Sequence, residues 1–406
     1  MNLAHPLQNV YIDPSQAAHA ELVSRNSPGN NQLLYFTSSS LTSDGTLMYF
    51  ISDRTGDANL FVRDMYSGKE RQLSANAEGV LKAYVYFDGH PYRGFGKGSV
   101  SINPRTGTAY YIQGRRLCEV TAAGKARTLA ELPPDQMTAF THLSADGARL
   151  CVPTVDARAL DGDRQLSGQP NYDIDARVRT ENLSSCLRVY STLSGQEILC
   201  EPVPQAWITH VQFCPSNPRQ ILYNHEWPSD CGIRRMWLWD GKQHLRLRNE
   251  GETRTRADWT CHEMWERDGK AIIYHGSYAN GPYYIGRVNP DGSGLTEIQL
   301  PGSWKRYGHF AVGDSGQLVS DGYYEQRDDT AMHQCGAWIS LLNVDWQTLN
   351  IQWIPLCPNE STWNSQDAHP HPVFDHSARA IYFTSDRTGK RAVYRVNVPS
   401  DANHLP

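Results

Sequence analysis

The sequence predicts an all-β fold, a single seven-bladed β-propeller spanning residues 1–406. Three observations predict it. A pattern of four short strands with small-residue turns recurs along the whole chain. Most of its short runs alternate apolar and polar residues and are bounded by Gly, Asp, Asn or Pro, the signature of strands. Helical periodicity is almost absent. Repeats of about 40–60 residues with four strands apiece have the size of propeller blades, and a solenoid would need capping segments that this sequence lacks.

The clearest repeat runs from Ser38 to Ser74, and its nearest copy from Val373 to Val398; both carry the turn SDRTG between their second and third strands. The second unit reads INPRTGTAYYIQGRRLCEV. The third begins LSADGARLCVP and resumes at CLRVYSTLSGQEIL, with the polar stretch Asp156 to Asn182 expected as an inserted loop. The fourth joins NPRQILYNHE to RRMWLWDGKQHLRL. The fifth is RDGKAIIYHGSYANGPYYIGRVNPDGSGLTEI, and the sixth pairs SGQLVSDGYY with AWISLLNVDWQTLNIQWI. The seventh has no fourth strand after Val398, so the segment from Glu21 to Ser27 is expected to supply it and close the ring.

Composition narrows the function. Apolar residues make up 39% of the chain, or about 47% with glycine, which is globular. A net charge of −5 gives no electrostatic footprint for nucleic acid. No run approaches the ~20 apolar residues of a membrane span. The start, MNLAHPLQNVYIDPSQ, lacks the basic and apolar regions of a secretory signal. The nine cysteines are scattered singly, which suits reduced thiols rather than a disulfide framework. A cytoplasmic location is the expectation.

Histidines carry the chemistry. The innermost strands of a propeller run parallel to one another around the channel, so residues in equivalent positions form a ring. His210, His262, His309 and His371 each stand seven residues before the first turn of their blade, in blades four to seven. His369 lies two residues before His371, on the same face if that segment is a strand. Gln366 comes three residues earlier. Imidazoles converging on a polar cavity suit a transition metal, and one outside the coordination sphere would serve as a general base. His225, Glu226, Arg234 and Arg235 are expected near a blade edge or the channel mouth, where an arginine binds carboxylates in a bidentate fork. Trp207, Trp259, Trp304 and Trp363 precede the histidines and suit sugar stacking or packing between blades equally.

The strings THVQFCP, NHEWP, RRMWLW, CHEMW, GHF and QDAHPHPVF, in that order, resemble the oligogalacturonate lyases, a polysaccharide-lyase family. The resemblance covers most of the chain and is strongest from Trp207 to Asn397. It implies a propeller that binds manganese through His309, Gln366, His369 and His371. It implies His262 as the catalytic histidine and Arg235 as a catalytic, substrate-binding arginine, leaving His210 as a further substrate contact. The expected partners are short uronate oligosaccharides, with no nucleic acid and no membrane. The chain departs from the family in its first inner strand, FTSSSLTSDG, and in the blade-three insertion, both of which would border the substrate.

That chemistry is coherent. β-Elimination removes the C5 proton, α to the uronate carboxylate, and expels the group on C4. The proton is very weakly acidic, because its loss adds charge to an existing anion; a divalent metal offsets that charge. Two other readings compete. One is a different His-ligated propeller metalloenzyme, such as an iron oxygenase, which needs an apolar tunnel. The other is a TolB-like binding propeller, which gives no reason for histidines in one register.

Overall fold

A computed structural model of the chain describes residues 17–78, 81–82, 95–160, 177–226, 235–248, 258–278, 282–300, 304–306, 308–313, 316–325 and 335–399. Among them the strands form seven sheets of four or more strands, with antiparallel pairing throughout each, so the fold is the seven-bladed propeller. A two-stranded parallel pair, Leu81–Lys82 with Phe95–Gly96, lies between the first and second blades in the chain.

The seventh sheet joins distant parts of the sequence. Its three strands Val373–Phe374, Ala380–Ser385 and Ala392–Asn397 are followed in the sheet by Glu21–Leu22, with Glu21 opposite Arg395 and Leu22 opposite Tyr394. The next strand of the chain, Asn31–Leu33, opens the first blade, and the Leu33 N–H donates to Thr384 Oγ1 at 3.1 Å.

The core lies between blades. One cluster joins Tyr49, Ile51 and Leu60 of the first blade to Val100, Ile102 and Tyr111 of the second. Another joins Val319, Ile339 and Leu341 of the sixth to Phe374, Ile381 and Phe383 of the seventh. A middle strand therefore has apolar neighbours on both faces. The second strand of the seventh blade, AIYFTS, is buried at every residue, and Met48 to Ser52 form a continuous buried run in the first. The expected alternation holds instead for strands such as Ser184–Ser191, where buried and half-buried residues mostly alternate. The blade-three insertion starts with a short 3-10 turn, Ala157–Leu160, and its central residues lie outside the described ones.

The inner strands differ from the sequence expectation. In the first blade the inner strand is Asn31–Leu33, with a single further bridge from Leu41 to Met48. FTSSSLTSDG is therefore not a continuous strand, and Tyr35 and Phe36 sit in the interruption. In the sixth blade, Trp304–Arg306 and Phe310–Val312 are likewise separate strands. Such breaks free the backbone to aim side chains that a regular pleat would alternate. No helix among the described residues is long and apolar enough to cross a membrane. The seven cysteines whose side chains are described are free thiols; four are buried, Cys186 and Cys261 half-buried, and Cys200 exposed.

Candidate metal centre

The four registered histidines stand where inner strands begin or bend. His210 immediately precedes Val211–Cys214, and His309 precedes Phe310–Val312. His262 lies in Asp258–Trp265 at a bulge between Cys261 and Met264, with φ +46°. His371 has φ +47° and precedes Val373–Phe374. Non-glycine residues with positive φ are uncommon, and this conformation costs energy that surrounding structure must offset. His369 and His371 are not in a strand, so their convergence does not come from pleat alternation. They follow a short 3-10 turn, Gln366–Ala368, and left-handed His371 redirects the chain.

His309, His369 and His371 are all buried, and each offers a ring nitrogen within 4.8 Å of the others. The His309 ring centroid lies 4.1 Å from that of His371 and 5.1 Å from that of His369. The His309 Nδ1–H donates to Asp321 Oδ2 at 3.0 Å, which leaves the lone pair on Nε2. His371 has its Nδ1 3.0 Å from Lys97 Nζ, while its buried Nε2 has no hydrogen-bond partner. A buried, unsatisfied imidazole nitrogen is costly unless something fills the gap. Burial, then the Lys97 ammonium and the neighbouring imidazoles of His309, His369 and His262, hold His371 well below the usual histidine range, so it is neutral. Three imidazoles converging in this way suit a divalent transition metal. Gln366, the fourth expected ligand, belongs to the 3-10 turn, but its side chain lies outside the described residues.

His262 stands beside this cluster, its ring centroid 4.5 Å from that of His309. Its Nδ1 is 2.8 Å from Nε2 of buried His275. Burial, reinforced by His309, His275, Arg235 and His210, holds His262 well below the usual histidine range. Cys261, His262 and His275 also lie close enough to form a second group of metal-ligand type.

Arg235, expected near a blade edge or the channel mouth, is buried. Its Nε donates to Glu263 Oε2 at 2.9 Å and its Nη1 to Glu226 Oε2 at 3.1 Å, with Nη2 3.4 Å from His210 Nδ1. Burial disfavours its charge, but Cys261, Glu226 and Glu263 more than compensate and raise its pKa. Two carboxylates thus already occupy the guanidinium fork. Glu226 also accepts bonds from Thr209 and Asn224, so it belongs to the same network as His210. His225, by contrast, packs in the blade against Tyr223 and Trp237, and Arg234 lies outside the described residues.

Residues that the histidine register did not reveal complete the site. Phe36 lies edge-on to His262 and nearly parallel to His371, with centroids 5.5 and 5.7 Å away. Tyr35 stacks on Phe140 at 4.1 Å and puts its hydroxyl 2.9 Å from His210 Nε2. These buried rings give the histidines an aromatic bed that excludes water. Trp363, with φ +57°, is half-buried against His369 at 4.6 Å, whereas Trp207 is fully buried. The side chains of Trp259 and Trp304 lie outside the described residues. Lys97 is buried; burial lowers its pKa to about 8 against the opposing pull of Asp367 and Asp321.

Comparison with known proteins falls on the same region. The family described as oligogalacturonate lyase matches residues 182–402, more than half of the chain. An oligogalacturonide lyase of Pectobacterium atrosepticum is 28% identical over 214 residues, 48% of this chain and 50% of that protein. An oligogalacturonate lyase of Dickeya dadantii is 28% identical over 216 residues, with the same shares. The chain thus spans about half the length of the curated relatives it matches. A solved oligogalacturonate lyase in complex with manganese superposes with a TM-score of 0.74 at 19% identity, covering 99% of both chains. The Vibrio parahaemolyticus oligogalacturonate lyase gives 0.73 at 19% identity, over 94% of this chain and 97% of that one. These last two likenesses establish the common propeller fold, and the match over residues 182–402 establishes the kinship: the chain belongs to the oligogalacturonate lyase family.

Proposed function

We propose that the protein is a metal-dependent lyase that cleaves short oligogalacturonates by β-elimination. The observation that carries this reading is the meeting of His309, His369 and His371, with a buried Nε2 lacking a hydrogen bond, beside a neutral histidine that is not needed to hold the ion. Those three histidines, with Gln366 as the expected fourth ligand, would hold a divalent cation such as manganese. When bound, that ion supplies Lewis-acid stabilisation of the charge that builds on a carboxylate as its α-proton leaves.

His262 is the base. Its Nδ1 is hydrogen-bonded to His275 Nε2, and in the tautomer that donates Nδ1–H there, the lone pair on Nε2 is left for the C5 proton. As that proton moves to Nε2, the C5–H electron pair forms the C4–C5 double bond. The C4–O bond breaks, and the departing oxygen takes a proton from water. General-base catalysis of this kind contributes about 10²–10⁴-fold. Arg235 supplies a fixed positive charge beside the base, locked in place by Glu226 and Glu263, which would offset the charge of the anionic sugar, with His210 as a further substrate contact.

The test is to incubate the purified protein with digalacturonate and follow the ultraviolet absorbance of the unsaturated product. Chelation should abolish the signal and manganese restore it, with little turnover of intact polymer. A neutral oligosaccharide cleaved as fast as its uronate counterpart would overturn the proposal.

A further inference from the structure

Each channel histidine of blades four to six has a polar side chain behind it, contributed by the second strand of its blade or the residue just after it. Asn224 Oδ1 accepts the His210 N–H at 2.8 Å; His275 meets His262; Asp321 meets His309. Asp321 is hydrogen-bonded into a second blade as well. It is fully buried. Its Oδ1 accepts the His309 N–H at 2.7 Å, and its Oδ2 accepts both the His309 Nδ1–H at 3.0 Å and the His371 N–H at 3.2 Å. One carboxylate thereby fixes the backbone of two candidate ligands and the ring of one.

We propose that Asp321 is the positioning residue of the metal centre, coupling the His309 ligand of blade six to the His371 ligand of blade seven. This rests on the metal reading above. Three donors from two blades converge on its two oxygens. The bond to Nδ1 selects the His309 tautomer whose Nε2 lone pair binds a metal, and it makes that ring a stronger donor. The bond to the His371 N–H helps offset the cost of a left-handed histidine. The packing supports a site shaped around this carboxylate. Gly308, at φ +83°, approaches so closely that a Cβ there would lie 2.3 Å from Asp321 Oδ1.

An asparagine cannot replace it. Whichever way the amide turns, its NH2 faces a donor, and if it faces Nδ1 it selects the tautomer with the proton on Nε2, which blocks the metal. The test is manganese titration of metal-free protein, read as free Mn²⁺ by electron paramagnetic resonance, for wild type, Asp321→Asn and Asp321→Ala. Affinity should fall about 10–100-fold in both variants, the usual cost of losing such a partner. In wild-type metal-free protein, long-range ¹H–¹⁵N spectra should show His309 protonated on Nδ1, with the signal identified by its loss in His309→Gln. This measurement stands even if neither Asp321 variant folds. Wild-type affinity in both variants, or His309 protonated on Nε2 in the wild type, would overturn the assignment of Asp321. A wild-type protein that takes up no manganese would overturn the metal reading as well.

Discussion

Arg235 offers the sharpest test of how the site is held together, because its cation stands between two carboxylates. Replacing it with methionine keeps the length of the stem and removes the charge. Unit charges about 4 Å apart interact by roughly 4 kcal/mol at the effective dielectric of a protein site. Arg235 has two such partners, Glu263 at 2.9 Å and Glu226 at 3.1 Å. Much of that gross energy is returned as desolvation, and removing one member of a buried pair typically costs about 3–5 kcal/mol. The larger part should fall on Glu263, whose side chain is 2% exposed against 24% for Glu226. Near neutral pH, Arg235→Met should therefore lose about 3–5 kcal/mol in urea unfolding, a drop of about 4–6 °C in Tm for a chain of this length.

The pH dependence tests the cause of that loss. In the wild type, burial raises the Glu226 pKa, but Arg235, then His210 and Thr209, hold it well below the usual carboxylate range. The wild-type contribution is thus complete above the ordinary glutamate pKa of about 4.3 and is lost only in strong acid. Without Arg235, burial pushes the carboxylate up, so the variant gains relative stability as falling pH protonates it. The gap between variant and wild type should be widest near pH 8 and shrink towards pH 5. A variant within about 1 kcal/mol of wild type at pH 7, or a gap that does not narrow in acid, would refute the electrostatic account.

Three further predictions follow from the histidines. His262→Ala should keep its manganese and still bind substrate while kcat falls about 10²–10⁴-fold, measured by product absorbance alongside metal analysis; metal loss would make His262 a ligand. Because burial and neighbouring charges lower its pKa, the acid limb of the wild-type rate should lie well below pH 6.5 rather than near it. His142 is half-buried, with Nδ1 accepting the Phe213 N–H, and desolvation lowers its pKa to about 4. Its neutral form gives full stability above pH ~6.5, and stability falls between there and about pH 4 as the unfolded chain takes up the proton, a loss of about 3 kcal/mol. His142→Gln should flatten that part of the stability profile, measured by urea unfolding across the range.

The blades were legible in the sequence because turn chemistry is local. The two SDRTG turns place Gly56 and Gly389 at φ +99° and +86°, and such positions punctuate strands whatever the surroundings. The histidine register was legible for the same reason, since seven residues back from a turn is a count within one blade. The count fails where the inner strand breaks. His369 and His371 converge through a 3-10 turn and a left-handed residue, and Tyr35 and Phe36 reach the site from a segment that looks like the start of a polar strand. The burial of Arg235 depends on Glu226 and Glu263 coming from different blades, which no single repeat displays. Asp321 has a signal of its own in the sequence. Asn224, His275 and Asp321 stand 14, 13 and 12 residues after their histidines, a second register behind the first.

The bed of Tyr35 and Phe36 ties the site to the order in which the ring assembles. These residues come from the first blade, while the histidines they touch belong to blades four to seven. The clasp nearby joins residues 351 positions apart in sequence. Contacts so distant are among the slowest to form. In a refolding chain, strand signals should therefore appear first and competence to take up metal last, making the ion a reporter of ring closure. The same feature separates chemistry from connectivity: a circular permutant opened between blades two and three would move the seam away from the histidines while keeping every side chain around them.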